Sequence, residues 1–429
     1  MRRFVALVSL GILMAAFGCS SGGSSTVANN NGGGNGGGGN GGGGGAGAGN
    51  SVTLTVDGGP AGLGFISADV AFADVTVCVP GTNNCQTIDH VAVDTGSSGL
   101  RILQSVLTLP LAQEGNLVEC FQFVSSFTWG PVMMADVKMA GEVASNIPIQ
   151  VIGQSAFPNI PAACQNVCVP PGSCSSETLQ DLGANGLLGV SSAVPDCGSF
   201  CTTPSSLYYS CPTPSTCSET GVSLAQQPPN PVAMFTGDNN GVLVQLPAIA
   251  SLTGEATATG TLFFGIGTEA NNGLGTATIF QEDPNTLSFT TVYQGVAYPG
   301  SFLDSGSNGL FFLDSQLTGM PDNNGCGDAP SGYWYCPNVS PTPFAATTEG
   351  TTGTQEAVDF NAYNTTQLFN TNNTAFNDLT GPNPSCFPGP NGKLQPCFDW
   401  GLPFFFGRNV FVAIEGRSTP GGNGPYWAY

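Results

Sequence analysis

The strongest constraint in this sequence is an internal repeat. Residues 91–100 read Val-Ala-Val-Asp-Thr-Gly-Ser-Ser-Gly-Leu, and residues 301–310 read Ser-Phe-Leu-Asp-Ser-Gly-Ser-Asn-Gly-Leu. In both segments an apolar strand runs into Asp-(Thr/Ser)-Gly-Ser, which places Asp94 and Asp304 at equivalent positions. One such loop is a weak signal, because Asp, Thr and Gly are common turn residues. Two matched copies indicate a duplicated architecture.

A second repeated motif follows each copy of the loop. An apolar-apolar-glycine segment occurs at residues 187–189, and another occurs at residues 405–407. Two halves with the same order of motifs predict two β lobes, at residues 51–240 and 241–429. The boundary between them is expected at the Gly-Asp-Asn-Asn-Gly turn of residues 237–241.

The body of the chain is predicted to be all-β. Short segments rich in Val, Ile, Thr and Phe are separated by Gly, Pro and Asn, as in strands joined by turns. Long amphipathic helical periodicity is absent, and a short helix is expected around residues 176–182. Clear strand candidates are residues 52–56, 70–79, 91–93, 147–152 and 287–292.

Two aspartates on matched loops indicate a specific chemistry. Carboxylates about 3 Å apart cannot both ionise cheaply, so they share one proton and titrate as a pair. The ionised carboxylate can take a proton from water, while the protonated one donates to a carbonyl oxygen. Asp94 and Asp304 are therefore the candidate catalytic pair. Gly96 and Gly306 allow the tight loops and a close backbone approach.

These loops and glycine segments resemble the pepsin-like aspartic peptidases over about residues 51–429. In that family each of two lobes contributes one Asp-Thr-Gly or Asp-Ser-Gly loop to a deep cleft. Residues 260–265 are similar to the strand that opens the second lobe. The resemblance implies an all-β, bilobed fold with a cleft between two duplicated lobes, and an endopeptidase that needs no cofactor. The chain also looks like a poorly characterised group of bacterial pepsin-like lipoproteins.

The resemblance assigns roles to the residues around the aspartates. Thr95 and Ser305 are expected to tie the two loops to each other. Ser97 and Ser307 lie where the family's hydroxyls support each carboxylate. Phe123 stands at the position of the tyrosine on the substrate flap, where it can pack on a substrate but cannot donate a hydrogen bond.

Other positions depart from the family pattern. Val124 and Ser126 replace small flap glycines, and Arg101 stands where the family usually has tryptophan. The stretch after Cys19 contains no Lys or Arg before the first predicted strand, so a basic prosegment is not expected. These differences leave two functions open: an aspartic endopeptidase that acts on extended peptides, and a catalytically inactive pepsin-like lipoprotein that binds peptides or proteins.

The first residues are typical of an export signal. Two arginines precede the apolar run 4–17, which is too short to span a bilayer. Residues 1–18 then read as a lipoprotein signal peptide and Cys19 as the lipidated residue, with an ordinary cleaved signal as the alternative. Residues 19–50 form a Gly/Asn-rich flexible linker with a reach of roughly 30 Å. By resemblance to enteric lipoproteins, the serine after Cys19 favours the outer membrane, on the periplasmic or surface side of the cell envelope.

The charge balance limits the possible partners. Only 8% of the residues are charged, and the formal net charge is −21. A chain this poor in Lys and Arg lacks the electrostatic footprint that nucleic acids require. The expected partners are a peptide or protein substrate and the lipid anchor, and the protein is expected to be a monomer.

The cysteines predict a disulfide-rich exported protein. Fifteen are present, and removing Cys19 leaves an even number, which allows up to seven disulfides. Closeness in sequence favours the pairs Cys78–Cys85, Cys326–Cys336 and Cys386–Cys397. The connectivity of the other eight stays open: Cys120, Cys164, Cys168, Cys174, Cys197, Cys201, Cys211 and Cys217.

The sequence argues against three rival sites, two of them because His90 is its single histidine. A zinc site would need more ligands or paired CxxC knuckles, so no metal is expected. A serine hydrolase would need a histidine base with a GxSxG elbow, which the sequence lacks. A glycosidase also uses two carboxylates, but it gives no reason for duplicated Gly-rich loops.

Overall fold

The computed structural model describes residues 49–429 except 124–125, 168–173, 322–333, 384–386 and 389–393. Strands dominate these residues, so the all-β prediction is confirmed. In the described part of the chain, no helix is both long and apolar enough to cross a membrane. The signal peptide, Cys19 and most of the linker lie outside the described residues.

The strands of the described ranges are β1 Ser51–Val56, β2 Ala71–Cys78, β3 Cys85–Asp94, β4 Ser98–Leu103, β5 Ala112–Gln122, β6 Phe127–Met139, β7 Glu142–Ile152, β8 Gly186–Val190, β9 Tyr208–Thr213, β10 Thr216–Glu219, β11 Gly241–Gln245, β12 Ala258–Phe264, β13 Ile279–Gln281, β14 Phe289–Tyr293, β15 Val296–Asp304, β16 Leu310–Phe312, β17 Thr342–Glu349, β18 Gln355–Ala362, β19 Thr380–Gly381, β20 Phe387–Pro388, β21 Leu394–Gln395, β22 Phe398–Gly401, β23 Asn409–Ala413, β24 Ser418–Thr419, β25 Gly422–Asn423 and β26 Tyr426–Ala428. The helices are short: α1 Leu179–Leu182, α2 Ser315–Thr318, α3 Thr365–Phe369 and α4 Leu402–Phe405, with 3-10 turns at Cys164–Val167, Gly198–Thr202, Leu224–Gln226 and Pro231–Met234.

Two sheets carry most of the strands. One has the order β10-β9-β5-β6-β7-β4-β8-β3-β2-β1-β12-β11-β23-β26-β13. An additional pairing of β6 with β2 closes part of this sheet into a barrel. The other sheet has the order β18-β17-β14-β15-β22-β16-β19. The first strand, β1, pairs along its whole length with β12, which contains most of residues 260–265 and joins the two halves of the sequence.

Both aspartate loops are built in the same way. β3 ends at Asp94 and runs parallel to β8, with Asp94 opposite Gly189. β15 ends at Asp304 and runs parallel to β22, with Asp304 opposite Gly401. After the first loop, β4 pairs antiparallel with the other edge of β8. After the second loop, β16 pairs antiparallel with the other edge of β22. The interpretation of residues 187–189 is therefore confirmed.

The corresponding prediction for residues 405–407 is wrong. The strand behind the second loop is β22, and Gly407 lies instead in a turn before β23. The sequence pattern does not predict β22, because Asp399 interrupts its apolar run. A Cβ at Gly401 would collide with the carbonyl oxygen of Gly309, so this position requires glycine.

The predicted short helix is confirmed as α1. Thr178 caps its first turn by accepting from the backbone N–H of Asp181, and Gly183 ends it in the left-handed conformation at φ 72°. The predicted strand at 287–292 begins two residues late, because Leu287 adopts φ 50° in a turn before β14. The division at residues 237–241 stays a prediction; β11 begins at the last of these residues.

Disulfides connect strands and loops of the first half. The predicted Cys78–Cys85 bond is confirmed. Cys336 and Cys397 are disulfide-bonded, but Cys326 and Cys386 lie outside the described residues, so those two pairings stay predictions. Three further bonds that the sequence left open are Cys120–Cys164, Cys197–Cys201 and Cys211–Cys217.

Candidate active site

The two strand ends bring Asp94 and Asp304 together. Each carboxyl is fully buried, and each accepts from the backbone N–H two residues later in its loop. Gly96 N donates to Asp94 Oδ1 at 2.8 Å, and Gly306 N donates to Asp304 Oδ1 at 2.8 Å. Each carboxyl also lies against the glycine of the opposite loop. The loops therefore form one site although 210 residues separate the aspartates.

The glycines of the loops are required by this close approach. A Cβ on Gly96 would lie 2.7 Å from Cγ of Asp304, and a Cβ on Gly306 would lie 2.7 Å from Cγ of Asp94. Real Cβ atoms do not approach other heavy atoms so closely. Each glycine thus makes room for the carboxyl of the opposite loop.

Thr95 and Ser305 exchange hydrogen bonds across the loops. Thr95 N donates to Ser305 Oγ at 3.1 Å, and Ser305 N donates to Thr95 Oγ1 at 2.9 Å. Each hydroxyl then donates to the strand of the other loop: Thr95 Oγ1 to Leu303 O at 3.2 Å, and Ser305 Oγ to Val93 O at 2.7 Å. These four contacts hold the aspartate loops in a fixed relative position.

A serine hydroxyl contacts the outer oxygen of each aspartate. Ser97 Oγ donates to Asp94 Oδ2. Ser307 Oγ lies 2.8 Å from Asp304 Oδ2 and 2.7 Å from Oδ2 of a third buried carboxyl, Asp399. Asp399 was not identified from the sequence. Its position inside β22 is the signal, because a charged residue in a fully buried strand needs a polar partner.

Burial raises the pKa of both Asp94 and Asp304. Repulsion from Asp304 raises the pKa of Asp94 further, whereas the hydrogen bonds that Asp304 receives lower its own. Because both carboxyls are buried and the charge of one raises the pKa of the other, ionising both at once is unfavourable, and such a pair can hold a shared proton. The arrangement can supply one proton acceptor and one proton donor to the same substrate.

Arg101 is buried beside the site and bridges two carboxylates. It donates to Glu119 Oε1 at 2.9 Å and to Asp196 Oδ2 at 3.0 Å, and its guanidinium lies 3.5 Å from the ring centroid of Phe121. Burial, followed by repulsion from Glu119, raises the pKa of Asp196. Tyr208 donates its hydroxyl to Asp196 at 2.8 Å. This cluster was not foreseen, since its members are distant in sequence.

Phe123 lies at the tip of the β5–β6 hairpin but is buried. Only 1% of it is exposed, and it packs edge-on against Phe121 at 4.8 Å between ring centroids. Ala92 and Leu187, which lie near the ends of β3 and β8, belong to the same apolar cluster. Contact between Phe123 and a substrate stays a prediction. Val124 lies outside the described residues.

A cleft of about 1220 Å³, the large cleft, lies beside the β5–β6 hairpin. Three apolar side chains of its lining, Phe200, Leu224 and Met234, are more than 40% exposed. The described residues that line it include no Lys, Arg or His. Its other lining residues include Glu119, Phe121, Asp196, Leu287 and Glu415, and Leu287 also lines a small cavity next to Thr95 and Gly96.

His90 lies away from this site. It is half-buried on β3 and adopts φ 49°, and its ring nitrogens lie 2.7 Å from Asp89 and 3.4 Å from Asp57. No group of three or more potential metal ligands occurs among the residues that the structure describes.

Comparison with known proteins gives a family. The family model described as protein of unknown function, DUF3443, matches residues 46–429. The chain belongs to this DUF3443 family. No match was found among curated proteins. The crystal structure of an aspartic proteinase from Irpex lacteus is similar at a TM-score of 0.52 and 14% identity, covering 88% of this DUF3443 chain and 96% of that chain. At this identity the likeness concerns the fold, and the bilobed pepsin-like prediction is confirmed.

Proposed function

We propose that this DUF3443 protein is an aspartic endopeptidase. The observation that carries the proposal is the geometry of two matched, hydrogen-bonded loops in which each fully buried aspartate carboxyl lies against the glycine of the opposite loop. A pair of this kind has one proton to donate and one site to accept a proton, which is what amide hydrolysis by water needs.

The chemistry proceeds in two steps. The ionised carboxylate of the Asp94–Asp304 pair accepts a proton from a water molecule, whose oxygen forms a bond to the peptide carbonyl carbon. The protonated carboxyl donates its proton to the carbonyl oxygen, giving a neutral tetrahedral diol. The carboxyl that accepted the water proton then donates it to the amide nitrogen, the ionised carboxyl takes a proton from a diol hydroxyl, the C–N bond breaks, and a carboxylic acid and an amine leave. Ser97 and Ser307 stabilise the charge of the pair throughout.

We assign peptide binding to the large cleft, although neither Asp94 nor Asp304 is among its described lining residues. Its exposed Phe200, Leu224 and Met234 can bury apolar side chains of a peptide. Its charged lining residues are carboxylates, and the chain carries a net charge of −21, so acidic peptides are disfavoured. Phe121 lines this cleft and is the hairpin aromatic that we assign to substrate contact.

We also propose that the protein is exported and tethered. The lipidated Cys19 would anchor it in the outer membrane, and residues 19–50 would hold the folded body clear of the lipid surface. The support is the short apolar run that ends in small residues before a cysteine. A monomer acting on peptides or proteins of the envelope fits this arrangement.

The test is a peptide-library digest between pH 3 and 7. Wild type should cleave best in mild acid, and Asp94→Asn and Asp304→Asn should each abolish cleavage while keeping the fold. The matched control is Asp69→Asn, because Asp69 is another fully buried aspartate with a raised pKa that contacts the backbone of Phe376, not the loops. Cleavage that persists in both loop variants would assign the activity to a contaminant.

A specific observation favours a second candidate, a non-catalytic peptide-binding protein. Both loop aspartates lack exposed surface, so a substrate reaches the carboxyls only if the groups that cover them move. A statine-type mimic separates the candidates, since its hydroxyl takes the place of the attacking water. Binding of peptides without cleavage, together with no affinity for the mimic, would favour the binding protein.

A further inference from the structure

The hydroxyl of Ser307 lies between two buried carboxyls. It is 2.8 Å from Oδ2 of Asp304 and 2.7 Å from Oδ2 of Asp399. All three side chains have 0% exposure. The second oxygen of Asp399, Oδ1, has no hydrogen-bond partner among the described residues. Asp399 therefore belongs to the same polar chain as the loop aspartates, although it does not touch the space between them.

Counting hydrogens gives the protonation state of this chain. A serine hydroxyl has one hydrogen to donate, so it can serve only one of two carboxylates. If Ser307 donates to Asp304, then the contact with Asp399 requires a proton on Asp399 that is donated to Ser307 Oγ. Leaving both carboxylates ionised around one hydroxyl would bury an unpaired charge, which is strongly unfavourable.

The surroundings of Asp399 offer no compensating cation. The described elements β14, β15, β16, β18 and α4 carry no Lys, Arg or His, and the nearby Arg408, which follows α4, directs its guanidinium over the ring of Phe404. Burial and then repulsion from Asp304 raise the pKa of Asp399. The titratable groups of those elements and of the facing loop are Tyr293 on β14, Tyr298 and Asp304 on β15, Glu356 and Asp359 on β18, and Asp94.

We propose that Asp399 is a positioning residue of the peptidase, which through Ser307 sets the pH above which the Asp94–Asp304 pair loses its shared proton. The proposal rests on the proposed function. At low pH, protonated Asp399 donates to Ser307, and Ser307 donates to Asp304. When Asp399 ionises at higher pH, it takes over the hydrogen of Ser307, and its negative charge repels the pair. Both changes raise the pKa at which the Asp94–Asp304 pair loses its shared proton.

The variant Asp399→Asn isolates this effect. Asparagine has nearly the same shape, can donate to Ser307 at every pH, and never becomes negative. The acid limb of the cleavage profile should stay in place, because wild-type Asp399 is protonated there. The alkaline limb should move to lower pH by about one unit or more, the usual effect of losing a nearby negative charge. This shift corresponds to about a tenfold loss of kcat/KM on the alkaline side. Asp69→Asn serves as the buried-carboxyl control and should shift neither limb.

An infrared titration of protonated carboxyl groups provides a readout that does not need cleavage. In Asp399→Asn, the pair should lose its proton at lower pH than in wild type. Coupling is reciprocal, so Asp304→Asn should lower the pH at which Asp399 ionises. This second variant carries the test if Asp399→Asn does not fold.

The outcomes separate the two proposals. An unchanged alkaline limb in folded Asp399→Asn, or a loss of activity that is equal at every pH, would overturn the role of Asp399. If wild type cleaves no peptide, the proposed function fails, and the titration alone decides the present inference. Reciprocal shifts would then support the coupling, and identical titrations in wild type and both variants would overturn it.

Discussion

The buried carboxyl of Glu282 should make the free energy of unfolding depend on pH. It follows β13 and is 3% exposed, and its Oε1 accepts from Trp427 Nε1. Burial raises the pKa of Glu282 from 4.5 to about 7. The substitution Glu282→Gln keeps an acceptor for Trp427 and removes the ionisable group.

The sign and size of the effect follow from the raised pKa. A carboxyl that is harder to ionise in the folded state contributes stability below its unfolded pKa of 4.5, and this contribution is lost as pH rises through about 7. One pKa unit corresponds to about 1.4 kcal/mol, so wild type loses about 3 kcal/mol through this group between pH 4 and pH 8. In Glu282→Gln this loss is absent.

The assay is urea unfolding of wild type and Glu282→Gln with disulfides intact. At pH 4 the two free energies of unfolding should agree within about 1 kcal/mol, the range of a replaced neutral hydrogen bond. At pH 8 the variant should be more stable than wild type by about 3 kcal/mol. Glu269→Gln is the control, because Glu269 is exposed in the loop after β12. A difference between variant and wild type that is the same at both pH values would refute the reasoning.

Three further predictions concern other parts of the chain. Thr95→Val should lower the free energy of unfolding by about 1–3 kcal/mol in urea titrations, because it leaves the buried N–H of Ser305 without its acceptor; a loss below the measurement error would contradict this. Cys19→Ala should move the protein from the membrane to the soluble fraction, and unchanged fractionation without loss of lipid mass would exclude the tether. Non-reducing mass mapping should find no free thiol and should join Cys326 to Cys336 and Cys386 to Cys397, whereas several free thiols would disprove the even pairing.

The sequence was sufficient to predict the aspartate loops. Each strand turns tightly after Asp94 or Asp304, and only glycine leaves room there for the carboxyl of the opposite loop. Because so few residue types are allowed, the motif can be recognised from a few consecutive residues. Segments with β-branched residues between turn residues were also recognisable as strands. Residues 187–189 were located correctly because their apolar run is uninterrupted.

Only the tertiary structure identified β22 as the partner of the second loop. Its Asp399 breaks the apolar pattern, and the uninterrupted run at 405–407 was a better local match. Asp399 is tolerated in this buried strand because Ser307, distant in sequence, supplies a hydrogen-bond partner. A local pattern cannot contain that information.

Contacts between residues distant in sequence also explain the burial of Arg101 and Phe123, which the sequence did not predict. One arginine, Arg101, lies in a fully buried position because Glu119 on β5, Asp196 in the loop after β8 and the ring of Phe121 meet its guanidinium. Phe123 is buried because strands β3 and β8 bring Ala92 and Leu187 beneath the hairpin. Backbone conformation is dictated largely by neighbouring residues and can be read from sequence. The burial and protonation of a side chain depend on groups that only the folded chain brings within a few ångströms.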